Sequence, residues 1–236
     1  MAPNLIPGYS PSRFPIVIAL AALLAVQTAA AAPLDSDWEL SKRDSKSGQS
    51  YELYQRDVAG SGYDRYRLEA VVDEPIERVI RAIRIRRMDD RYLGEGFTRT
   101  VLHRDGDDSV TYIKMQMSLV KDRDVALRSN WGFDEKRGVY RDEWRTANEE
   151  APPLPDGVVR MTKSEGFWEL TPVDAGHTRV VYESHADPGG RVPSWIANSI
   201  LGDQVIGQIA TLRRILDEHR QDVAAAPPVG SESSPN

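Results

Sequence analysis

Between Trp38 and Tyr182 the apolar residues recur at every second position, and the alternation then gives way to one long helical pattern over residues 193–220. That order constrains the fold more than any other feature, because period two marks a strand with one buried face and period 3.6 an amphipathic helix. Residues 51–58, 63–72, 97–104, 109–120, 124–133, 139–147, 158–170 and 178–186 read as strands. The stretches between them, such as AGSG, DGDD, DEKRG and PPLPDG, carry the residues that favour turns. They predict an antiparallel meander. A first helix is expected over residues 73–87, with Asp73 as its N-cap, Pro75 in its first turn, and Ile76, Val79, Ile80 and Ile83 on one face. In the last helix, Trp195, Ile196, Ile200, Leu201, Val205, Ile206, Ile209, Leu212, Ile215 and Leu216 form a broad apolar face suited to lying along a sheet. The class is therefore α+β. Gly202 and Gly207 lie inside that helix, where each costs roughly 1 kcal/mol relative to alanine. Either a close approach or a built-in weakness accounts for them, and spacing does not separate the two.

The 236 residues are 40% apolar and 28% charged, enough for one globular domain with a core. The net charge of -6 is spread along the chain without a basic stripe, which argues against a nucleic-acid partner. With no cysteine, disulfides, thiolate catalysis and Cys-ligated zinc are excluded. The apolar run FPIVIALAALLAV, residues 14–26, followed by TAAAAP, has the length and small-residue ending of a signal peptide over residues 1–31. It falls short of the roughly 20 residues of a spanning helix. The mature protein is expected to be periplasmic or secreted. Residues 223–236, rich in Pro, Ser and Ala, read as a disordered tail behind a domain spanning 37–222.

Alternation in residues 109–120 places Thr111, Ile113, Met115, Met117 and Leu119 on the apolar side. Methionine is flexible and polarizable, so Met115 and Met117 suit either a ligand lining or a gap-filling core. The same parity groups Arg123 with Val125, Leu127, Ser129 and Trp131, which turns a guanidinium inward. There it would lose several kcal/mol of hydration unless a carboxylate, water or ligand replaces it. The alternative is that the strand starts one residue later and Arg123 is a solvated turn residue.

Several stretches together resemble the START family of steroidogenic-acute-regulatory-related lipid-transfer domains, within the Bet v 1-like helix-grip superfamily. They are DWEL (37–40), YRLEAVVDEPIERV (66–79), the pair Arg123-Asp124, VVRMTKSEGFWELTP (158–172) and TRVVYESHADPGGRVPSWIANSI (178–200). The resemblance implies a curved antiparallel sheet wrapped around the C-terminal helix and enclosing a tunnel for one lipid. It also implies no metal, no cofactor and usually no chemistry. The arginine matching Arg123 would meet the head group, with Met115, Met117, Trp131, Trp168, Tyr182, Trp195, Ile196 and Ile200 lining the tunnel. Threonines stand where the family often carries an acid beside that arginine, and Glu95 is the nearest candidate partner. The expected ligand is a phospholipid, fatty acid or sterol-like lipid, carried by a monomer that touches membranes transiently. The DPGG turn and Pro193 would act as a gate hinge.

Catalysis is the weaker expectation. Ser184, His185 and Asp187 do not make a triad, because a strand sends Ser184 and His185 to opposite faces. The other histidines have no metal-ligand spacing, and no Gly-rich phosphate loop is present. The same superfamily includes polyketide cyclases and aromatases, so Arg123, Tyr112 or Tyr182 acting as acids is the runner-up. A lipid-sensing interaction module is the third class.

Overall fold

The computed structural model describes residues 37–45, 50–118 and 120–220. The expected signal segment and tail lie outside these, as does Leu119. The chain forms β1 (Glu39–Asp44), β2 (Tyr51–Arg56), β3 (Arg65–Val72), α1 (Ile76–Met88), β4 (Phe97–Asp105), β5 (Asp108–Met115) and β6 (Arg123–Asp134). It continues with β7 (Val139–Thr146), β8 (Val159–Arg160), β9 (Lys163–Pro172), β10 (Thr178–Asp187) and α2 (Ser194–Glu218). The sheet order is β1-β2-β3-β10-β9-β7-β6-β5-β4. Two meanders are thus joined where β10 returns beside β3, with Tyr182 opposite both Leu68 and Trp168. All of these pairings are antiparallel; β8 alone runs parallel, against the start of β6.

Three expectations change at element ends. The segment 158–170 is two strands, because Val159 and Arg160 pair in parallel with the start of β6 before β9 begins at Lys163. Strand β5 stops at Met115, four residues earlier than its apolar run suggested for Leu119. Asp73 does not cap α1; Pro75 occupies the N-cap position without a side-chain bond. The turn before it is held instead by Thr178 Oγ1, which donates to the Glu74 carbonyl at 2.8 Å, and by an Arg78–Glu74 ion pair at 2.8 Å.

Helix α2 buries Leu201, Val205, Ile209, Leu212, Ile215 and Leu216, spaced by three and four residues, against Tyr66, Leu68 and the apolar face of α1. Each such side chain contributes about 1.5–3 kcal/mol. The buried stripe begins only at Leu201. Trp195 is 75% exposed and Ile200 38%, so the first turns of the helix stand clear of the sheet.

What holds those first turns is polar. Gly189 and Gly190 adopt φ of +66° and +67°, and a Cβ on Gly189 would lie 2.7 Å from the Arg160 carbonyl oxygen, so only glycine fits there. Arg123 is the first residue of β6 and is buried. Its guanidinium donates to the carbonyls of Lys121, Pro188 (3.1 Å) and Gly189 (3.4 Å). Asn198 and Asp64 exchange two hydrogen bonds of 3.1 and 2.8 Å, and the Tyr63 hydroxyl donates to the Val192 carbonyl at 3.2 Å.

Candidate functional site

Between α2, the end of α1 and the concave face of the sheet lies a cavity of 410 Å³, within the roughly 300–1,000 Å³ of small-molecule sites. One part of its wall is apolar and aromatic: Phe97, Ile113, Met115, Val125, Leu127, Trp144, Met161, Trp168, Tyr182, Leu201 and Val205. Tyr182 stacks on Trp144 with ring centroids 5.5 Å apart and tilts onto Trp168 at 4.6 Å. Burial pushes the Tyr182 hydroxyl above its ordinary pKa, so it stays protonated. The remaining wall carries Arg86, Arg87, Arg99, Arg104, Arg214, Ser109, Ser129, Asp142 and Gln208. Arg87 bonds Asp142 at 2.6 Å and Ser109 at 2.8 Å. Arg99 bonds Asp90 at 2.9 Å, and Arg214 lies 5.1 Å from the centre of the Tyr92 ring.

Of the residues expected from the sequence, Met115, Trp168 and Tyr182 line this cavity. Trp131 does not. It packs beside Tyr140 under the Arg84 guanidinium, 4.0 Å from its ring centre, and borders a separate hollow of 190 Å³. Met117 falls beyond the end of β5, where its N–H donates to Asp122 at 3.1 Å. Trp195, Ile196 and Ile200 belong to the helix turns that precede the buried stripe, and Leu201, Val205, Gly207 and Gln208 face the cavity instead.

Arg123 is buried on the parity that alternation gave it, but the strand end places it against the Pro-Gly-Gly turn rather than in the cavity. Backbone carbonyls, not Glu95 or a head group, replace its hydration. The buried ion pair sits one residue on. Asp124 is fully buried and takes Arg160 at 2.7 Å and the Tyr112 hydroxyl at 2.7 Å. Burial alone would raise its pKa, yet Arg160 and Tyr112 hold it below the ordinary carboxylate value. Tyr112 is thereby on the outer face, with its own pKa pushed up to about 12 by burial and by Asp124. Ser184 lines the cavity while His185 turns the other way to donate to the Asp64 carbonyl, as strand alternation requires. No cluster of three metal-ligating side chains occurs among the described residues.

Two of the wall's arginines, Arg86 and Arg87, lie in the last turn of α1, a helix read from the sequence by its apolar face alone. A signal was present. Arg86 stands three residues after Ile83 and seven after Val79, on the apolar stripe itself, and only an inward guanidinium occupies such a position. The two interior glycines of α2 also separate here: a Cβ on Gly202 would lie 3.4 Å from the Tyr66 ring, whereas one on Gly207 would enter open space in the cavity.

An antiparallel sheet gripping a C-terminal helix over an amphipathic hollow defines a helix-grip domain that holds a hydrophobic ligand. The START domain family model matches residues 20–222, and the chain belongs to that family. It is similar to the uncharacterized protein PA1579 of Pseudomonas aeruginosa, with 28% identity over 76% of this chain and 87% of that one. Among solved structures, a STAR-related lipid transfer protein from Xanthomonas axonopodis superposes with a TM-score of 0.65 at 26% identity, over 77% of this chain and 99% of that one. Human StAR-related lipid transfer protein 5 shares the fold, with a TM-score of 0.65 at 17% identity over 79% and 89% of the two chains.

Proposed function

We propose that this protein is an exported lipid carrier, which takes a phospholipid, fatty acid or sterol-like molecule into the cavity and moves it through the periplasm or an extracellular medium as a monomer. The cavity carries the reading: an aromatic and aliphatic wall closed by α2 shields a chain whose exposure to water costs about 0.8 kcal/mol per methylene. Export is supported by the signal-like pattern at residues 14–33. The exposed Trp195 and Ile200, beside the Pro-Gly-Gly turn, suit brief contact with a membrane during loading and release. Binding rather than chemistry is favoured because two of the three side chains considered as acids, Arg123 and Tyr112, are spent on structural partners away from the cavity.

The test is purification from the native compartment followed by mass spectrometry of the extracted ligand. Stoichiometric lipid, and uptake of a fluorescent lipid by the delipidated protein, are expected. Failure to bind any lipid, or chemical conversion of the one supplied, would overturn the carrier reading.

A further inference from the structure

Among the described residues five arginines and a single carboxylate line the cavity, and the carboxylate, Asp142, is already engaged by Arg87. Arg99 is engaged by Asp90 from outside the cavity. Arg86 differs from both. Among the described residues its side chain has one hydrogen-bond partner, the neutral side chain of Gln208, itself part of the cavity wall, and its buried Nε–H has no acceptor. Burial pulls its pKa below the ordinary arginine value, opposed by Tyr182 and Asp142 and aided by the neighbouring Arg99 and Arg87 charges. The carbonyl end of α1 offsets only part of such a charge, since a helix terminus carries roughly half an elementary charge. A cation desolvated to this degree is stabilised by an anion delivered from the cavity side.

We propose that the cavity selects an anionic amphiphile, whose carboxylate or phosphate head group is held by Arg86 while its chain lies along Trp144, Trp168 and Tyr182. This rests on the cavity being a lipid site. It moves the head-group end from Arg123, at the Pro-Gly-Gly turn, to the last turn of α1.

The experiment compares laurate with 1-dodecanol, two amphiphiles of equal chain length, by calorimetric titration of the delipidated protein at pH 8, with inorganic phosphate as a chainless anion. Laurate should bind about tenfold or more tighter than dodecanol, in line with a hydrogen bond to a charged group. Arg86→Gln should bring the ratio of the two affinities towards one. Lysophosphatidic acid and laurate, compared in the same way, tell a phosphate head group from a carboxylate; either preference is consistent with the proposal. A ratio near one in the unaltered protein, which needs no variant to fold, overturns the anion preference and leaves the carrier reading standing. A ratio that survives Arg86→Gln overturns the role of Arg86. Phosphate binding as tightly as laurate would make this a site for a free anion and overturn the amphiphile. If neither amphiphile binds, the carrier reading fails, and this inference with it.

Discussion

Arg123 Nε lies 3.1 Å from the Pro188 carbonyl oxygen, joining the first residue of β6 to the turn that launches α2. The arginine therefore supports that turn. Arg123→Leu should lower stability by about 1–3 kcal/mol, because three carbonyls lose their donor, and should leave the order of ligand preference unchanged. Chemical denaturation together with a ligand series checks both halves. A changed preference at unchanged stability would return Arg123 to the cavity.

Asp124 and Arg160 make the buried pair that holds β8 beside the start of β6, and Arg160 also donates to the Pro152 carbonyl of the Pro-rich loop. Asp124→Ala should cost about 3–5 kcal/mol, since it strands a charge and leaves the Tyr112 hydroxyl without its acceptor. Urea unfolding measures this. A loss under 1 kcal/mol would mean that water takes over both partners.

Gly207 offers a test of the cavity with little cost to the fold. Gly207→Ala should raise stability by up to about 1 kcal/mol, the helix-propensity difference, because no atom lies within 4 Å of the added Cβ. Gly207→Leu should weaken uptake of a fluorescent lipid while the melting temperature holds or rises. The same change at Gly202 should unfold the helix contact instead, since Tyr66 occupies the space.

Two buried groups should give the stability curve opposite slopes. Burial, against the pull of Arg87 and Arg86, raises the Asp142 pKa to about 6 from an ordinary 3.8. The folded state then keeps a proton that the unfolded chain has released, so stability falls as pH rises from about 4 to 6, by on the order of 3 kcal/mol. His185 behaves in the reverse sense. Burial lowers its pKa below 6.5, helped by Arg65 and Lys163 and opposed by its bond to the Asp64 carbonyl. The unfolded chain takes up a proton that the folded one refuses, and stability is lost as pH falls below 6.5. Asp142→Asn should remove the first slope and His185→Asn the second, each read from melting temperatures across pH 4–8. Parallel curves for either variant and the parent would refute that assignment.

The strands and the long helix were legible because periodicity records which face of an element is buried. Met115 followed from that, whereas Trp168 and Tyr182 came with the family resemblance. Arg123 and Met117 were misplaced for a different reason: parity names a face, but not where along the face the cavity ends. Met117 lies past the end of its strand, and Arg123 sits at the rim where a turn crosses over it. Trp195 and Ile200 show the same limit on a helix, whose apolar stripe runs on beyond the sheet that covers it. Arg86 was legible in principle, as a charge at an apolar position. Glu183 was not, since its strand is buried on both faces and its partners Arg65 and Arg67, at 2.9 and 2.7 Å, come from a neighbouring strand.

The division of α2 into a polar-tethered beginning and an apolar-packed remainder has a consequence for where the domain opens first. Hydrogen bonds such as those between Asp64 and Asn198 are exchanged for water at small net cost, whereas the packing from Leu201 onward is given up only on unfolding. Amide protons in the first two turns should therefore exchange through a local opening, well below the free energy of global unfolding. One end of the helix is thus held by bonds that can open while the rest of the domain stays folded.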